Sequence, residues 1–129
     1  MTVWHGNLHK RKKTGGRRTP YRGKRAFERG SPPTETRIGE RKLKVVKGRG
    51  GVLKYRLFSG KTVNVVDPNT GKAEKAEIKR VLENRANREF QKRGVITKGA
   101  LVETTIGKVK VTSRPGQHGV INGVLIERA

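Results

Sequence analysis

The first 27 residues carry nine Lys or Arg and not a single Asp or Glu. The run Lys10-Arg11-Lys12-Lys13 is followed, after Thr14-Gly15-Gly16, by Arg17-Arg18. Charges this dense repel one another, and the stretch has almost nothing apolar to bury, so it is not expected to fold alone in water. A polyanion removes the repulsion, because each phosphate met by a cationic side chain releases condensed counterions. The opening of the chain therefore calls for a polyanion before any fold is considered.

The remainder agrees. Thirty-two basic residues stand against ten acidic ones, a net charge of +22 on 129 residues. A free domain usually keeps its net charge in single digits, since self-repulsion opposes compaction. A surplus this large implies a standing counter-charge, and RNA or DNA is the abundant candidate. A membrane surface would require an amphipathic helix or a lipid anchor, and the sequence offers neither. It has no 18-residue apolar run for a span and no N-terminal signal segment, so no membrane partner is expected. With no cysteine, a disulfide scaffold and a Cys-based zinc site are excluded, which fits a reducing compartment.

Apolar residues locate the core. Residues 1–37 hold three of Val, Ile, Leu and Phe (Val3, Leu8, Phe27), whereas the other 92 residues hold 27. The boundary is expected within Ser31-Pro32-Pro33-Thr34-Glu35-Thr36, where two prolines favour an extended backbone. This gives a basic nucleic-acid-binding arm over 1–37, extended or disordered until bound, and a domain over 38–129. Valine outnumbers leucine 14 to 7, and β-branched side chains favour strands. Short apolar runs alternate with turn signals at Gly48-Arg49-Gly50-Gly51, Ser59-Gly60, Asp67-Pro68-Asn69-Thr70-Gly71, Gly107 and Pro115-Gly116. About seven short strands result. The expected fold is all-β: a small barrel-like antiparallel domain behind a long basic extension. Lys72 to Leu82 reads as strand despite its helix-forming composition, with Asn84 capping a short helix from Arg85 to Arg93 that Gly94 ends.

Motifs for catalysis are missing. Ser59-Gly60-Lys61-Thr62 resembles the end of a phosphate-binding loop, but that loop needs an earlier glycine where Tyr55 stands and a helix where β-patterned residues follow. His5 and His9 stand four residues apart but lie in the basic arm, which has no helical pattern, and His118 lies in a Gly-rich turn, so neither a metal site nor an acid–base role is expected. No nucleophile elbow, paired-carboxylate or Cys/His arrangement is present, and the chain is expected to be no enzyme. Trp4 and Tyr21 either stack on unpaired bases or anchor the arm to protein. Gly48-Arg49-Gly50-Gly51 either approaches a phosphate backbone or is a flexible hairpin loop. Arginine dominates after Gly16, and its planar fork binds phosphate bidentately and stacks on bases. That preference tilts the expectation toward RNA.

Several stretches together resemble a known family. His9-Lys10-Arg11-Lys12-Lys13-Thr14-Gly15-Gly16-Arg17, Pro20-Tyr21 and Lys24-Arg25 are similar to the opening of the small-subunit ribosomal protein eight-e family of archaea and eukaryotes. Thr36-Arg37-Ile38-Gly39 with Val45 to Gly51, Asn64 to Pro68, Glu83-Asn84, Ile96 to Ala100 and Thr112 to Gln117 continue the likeness over nearly the whole chain. The compact Asp67-to-Ala129 portion lacks the large insertion of the family's eukaryotic branch and so resembles the archaeal members. The resemblance implies a cytoplasmic, structural constituent of the small ribosomal subunit, without cofactor or small-molecule substrate. Its implied partners are small-subunit ribosomal RNA and neighbouring ribosomal proteins.

The residues expected among RNA phosphates are Lys10, Arg11, Lys12, Lys13, Arg17, Arg18, Arg22, Lys24, Arg25 and Arg29, with Gly15, Gly16 and Tyr21 allowing close approach or stacking. Arg37, Arg41, Lys42, Lys47 and Arg49 are expected to carry that surface onto the domain. Two rivals share the composition: a histone-like DNA-binding protein, and a ribosome-assembly factor built on the same β domain.

Overall fold

Alternating small and β-branched apolar residues build a closed barrel from five strands: β5 (Thr62–Val66), β6 (Ala73–Glu83), β7 (Leu101–Thr104), β8 (Gly107–Val111) and β9 (Asn122–Arg128). The computed structural model describes residues 3–4 and 6–129, and His5 lies outside the described residues. The chain divides into two units between Pro33 and Thr34, inside the proline-containing stretch. Residues 34–37, grouped with the arm on sequence grounds, pack with the second unit.

Consecutive barrel strands pair antiparallel, but closure does not follow that rule. β5 meets β9 in parallel, through Asn64↔Asn122, Val65↔Gly123 and Val66↔Val124. Inward positions on β5 and β8 are Val63, Val65, Val109 and Val111, while their neighbours face outward. They join Ala76, Ile78, Val102, Ile121 and Leu125 in one apolar core. Register shifts at Ile78/Arg80 and Val81/Glu83 bend the eleven-residue β6, the usual effect of bulges on a barrel strand. At Gly123 an added Cβ would sit 2.3 Å from Val109 Cγ1 and 2.9 Å from the Lys110 carbonyl, so only glycine fits where β9 crosses β8.

Before the barrel come β3 (Lys42–Lys47) and β4 (Leu53–Ser59), an antiparallel hairpin forming its own two-stranded sheet. A strap of residues 34–37 ties this hairpin to the rest of the unit. The Thr36 hydroxyl donates to the Leu57 carbonyl at 2.6 Å, its carbonyl accepts from Ile96 N at 2.8 Å, and Arg37 N donates to Phe58 O at 3.0 Å. Thr36 is wholly buried, so those bonds satisfy groups that water cannot reach.

Two local expectations need correction. Asn84 does not cap the helix: α1 runs Arg88–Arg93, and the Asn87 side chain accepts from Glu89 N at 2.9 Å. Asn84 is buried instead, donating to Val95 O and accepting from Ala86 N and the Thr97 hydroxyl. It therefore spends its hydrogen bonds on the β6 exit. Gly94 does end the helix, in the left-handed region at φ 66°. The segment opened by Pro115-Gly116 is a short helix, α2 (Pro115–His118), with proline at its first position, where no amide is needed.

The N-terminal unit holds β1 (Val3–Trp4) paired with β2 (Arg29–Gly30), and a single 3-10 turn over Ala26–Glu28. Its organiser is Glu28, the only acidic residue among the first 33. The Glu28 carboxylate accepts from the Trp4 indole N–H at 3.0 Å, from Arg22 at 2.6 Å and from Arg25 N at 3.2 Å. Those donors, the indole first, hold its pKa below the ordinary carboxylate value.

Candidate nucleic-acid interface

Within the N-terminal unit, a tight turn displays the basic run. Lys12 N donates to Gly16 O and Gly15 N to Lys12 O, with Gly15 at φ 84°, a region glycine enters without steric cost. Arg11 and Arg17 face each other across the turn through an isolated antiparallel bridge. A cleft of about 570 Å3 is lined by Lys12, Lys13, Arg18, Tyr21 and Arg22 together with Trp4 and Glu28. Lys10, Arg11, Arg17, Lys24, Arg25 and Arg29 lie outside it. The two aromatics have separated roles: Trp4 is hydrogen-bonded into the unit, while Tyr21 is 91% exposed. Arg22 stands over Tyr21 and Phe27, 5.3 and 5.5 Å from their ring centres. Its pairing with Glu28 leaves it the least available of the expected phosphate ligands.

In the second unit, Lys42 and Lys47 lie on β3, Arg49 at the hairpin's tip and Arg41 immediately before β3. A 3-10 turn over Arg49–Gly51 makes that tip, with Gly50 at φ 72°. Arg37 stands apart in the strap, 3.8 Å from Glu35, which also takes a bidentate pair from Arg93 at 2.7 and 3.0 Å. The structure adds Lys44, Lys54 and Arg56, which the sequence did not single out. Their signal was the period-two alternation of Lys42-Leu43-Lys44 and Lys54-Tyr55-Arg56, which sends the cations to one face of a ribbon.

The charge is unevenly neutralised. Eight ion pairs form among the described residues, and none involves a cation between Arg41 and Arg56. The N-terminal unit has one, Arg22–Glu28. On the barrel, by contrast, Lys108 and Glu127 meet at 2.7 Å, and their hydrogen bond raises the lysine pKa and lowers the carboxylate's. Among the described residues no cluster of His, Asp or Glu could hold a metal ion, and no helix is long and apolar enough to cross a membrane.

A small closed β-barrel with an unneutralised cationic hairpin and a cationic N-terminal unit defines a class of strongly basic small-barrel proteins. The family model described as ribosomal protein S8e matches residues 5–126. The chain belongs to the ribosomal protein S8e family. It is 58% identical over 106 residues to small ribosomal subunit protein eS8 of Nanoarchaeum equitans, covering 82% of this chain and 84% of that one. It is 48% identical over 127 residues to the eS8 of Methanosphaera stadtmanae, covering 98% of this chain and all of the relative. The eS8 of Sulfolobus acidocaldarius is 49% identical over 128 residues, 98% of each chain.

Proposed function

We propose that this chain is a non-catalytic structural constituent of the small ribosomal subunit in the cytoplasm, holding ribosomal RNA by neutralising its phosphates. The observation that carries this is the placement of the surplus charge. Ten basic residues and one acid fill residues 1–33, and seven more cations with no acid fill 41–56, where no ion pair forms among the described residues. The archaeal relatives, matched over most of their length, are small-subunit proteins by name. Lys10 to Lys13, Arg17, Arg18, Lys24, Arg25 and Arg29 supply most of the contacts. Arg41, Lys42, Lys47 and Arg49 extend them, with neighbouring ribosomal proteins alongside. Double-helical RNA is met mainly through shape and backbone, so few contacts read base sequence.

The test is a salt titration of the full chain on archaeal small-subunit RNA, with duplex DNA as competitor. Replacing Lys10, Arg11, Lys12, Lys13, Arg17 and Arg18 by Gln should reduce the slope of log Kd against log salt by about 4–5. A preference for duplex DNA would favour a histone-like protein instead. Absence of the protein from translating ribosomes on a sucrose gradient would favour an assembly factor.

A further inference from the structure

Resting on that RNA-binding role, we infer that the outer face of the β3–β4 hairpin is a phosphate-binding site in its own right. It takes a single ribose-phosphate backbone strand, laid lengthwise between two rows of cations. Lys44, continued by Lys42, forms one row on β3, and Lys54 with Arg56 forms the other on β4.

The register sets these rows face to face. Lys44 pairs directly with Arg56, and Lys54 with Val46, so three cations and one valine occupy four adjoining positions on one face. Directly opposed side chains have Cβ atoms about 4.5–5.5 Å apart, and like charges there destabilise the pair. No Asp or Glu occurs between residues 41 and 59 to relieve them. The Nε of Arg56 is buried and finds no acceptor among the described residues, so its side chain has an unmet donor that is satisfied only when the guanidinium swings out to an anion.

The opposite face of the ribbon is already in use. Leu57 is buried there, and Gly119, at φ 74°, lies so close that an added Cβ would stand 2.6 Å from Tyr55 Cβ and 2.9 Å from Leu43 Cδ1. Leu43, Tyr55 and Leu57 share that face, so the pleat sets Lys44, Lys54 and the half-buried Arg56 on the other. Paired strands lie about 4.8 Å apart, too close for the two rows to span a helical groove on the order of 10 Å wide. Both rows therefore fall on one backbone. The N-terminal unit repeats the device, setting Arg11 opposite Arg17 across its turn.

A site made from opposed cations has a signature that a structural role lacks: relieving the opposition stabilises the free protein while weakening its complex. Lys44→Glu should raise the melting temperature of the RNA-free full chain by about 1–5 °C. The same variant should bind archaeal small-subunit RNA at least tenfold more weakly at a fixed moderate salt concentration. Replacing Lys44, Lys54 and Arg56 together by Gln should lower the salt slope by about 2, at roughly 0.7–0.9 per lost contact. The same three-charge change at Lys75, Lys79 and Lys110 on the barrel should lower it by less than half as much. A lower melting temperature for Lys44→Glu, or RNA binding that does not change, would overturn the site. Equal losses from the two triple variants would reduce it to net charge. If the unaltered chain fails to hold ribosomal RNA, the functional role itself falls, an outcome separate from any variant's behaviour.

Discussion

Two ribbons in the same unit treat directly opposed charged positions in contrary ways. On the barrel, Arg80 faces Glu103 at 2.5 Å across β6 and β7, and Lys108 faces Glu127 at 2.7 Å across β8 and β9. On the hairpin, Lys44 faces Arg56, and neither forms an ion pair among the described residues. The geometry is the same: antiparallel strands and solvent-facing pairs. The barrel places opposite charges where they favour its own folded state. The hairpin places like charges where they oppose it. Folding alone does not account for that choice, whereas an external anion does.

The contrast can be broken or sharpened by substitution. Gly123→Ala should have the largest effect, since its Cβ would enter the Val109 side chain and the Lys110 carbonyl within the barrel. A loss of about 2–3 kcal/mol by denaturant unfolding is expected. An unchanged midpoint would show that β8 and β9 move apart freely. Glu103→Lys gives the barrel the hairpin's kind of pair, Lys opposite Arg80, without touching the core. Because Arg80 is largely exposed, the expected cost is only about 0.2–1 kcal/mol, with no change in the salt dependence of RNA binding. A steeper salt slope would mean that opposed cations bind RNA wherever they occur, and the hairpin would lose its distinction.

The smallest effect concerns the N-terminal unit. Glu28 has its pKa depressed by the Trp4 indole donor and, after it, by Arg25 N and Arg22. Its contribution is therefore complete above the ordinary carboxylate pKa and is lost as pH falls through the lower folded value. Trp4 fluorescence in the free protein should shift at a midpoint below about 4.3 and stay flat from there to neutrality. A midpoint at or above that value would place Glu28 away from the indole.

What was legible in the sequence follows local periodicity. Gly107–Val111 alternates strictly and Thr62–Val66 does so as far as Val65, and Val63, Val65, Val109 and Val111 lie in the core. Ala73–Glu83 is a strand against its helical composition, because the turn before it and the pairing with β5 and β7 outweigh propensity. The parallel contact of β5 with β9 was not legible, since it joins residues 58 positions apart and leaves no short-range pattern. Thr36 reads as a linker residue; only Leu57 and Ile96, far along the chain, make it a buried tie. Glu28 was hidden by its isolation, one acid after a long basic stretch. Alternation puts Lys44 on one side of its strand and Lys54 with Arg56 on one side of theirs, but it does not set them opposite one another, because register is fixed by pairing and not by composition.

The parallel closure carries a consequence for timing. Asn64 hydrogen-bonds Asn122 at 2.9 Å, so the seam cannot form until the residues around 122 exist. Contacts of such long range are slow to form, because loop entropy is lost before they return any stability. As the chain is synthesised, the cationic N-terminal unit and the β3–β4 ribbon emerge well before the last strand. The portions richest in unpaired positive charge are thus free to meet an anion while the barrel is still an open sheet, and the final strand locks a molecule whose electrostatic partner has had time to arrive.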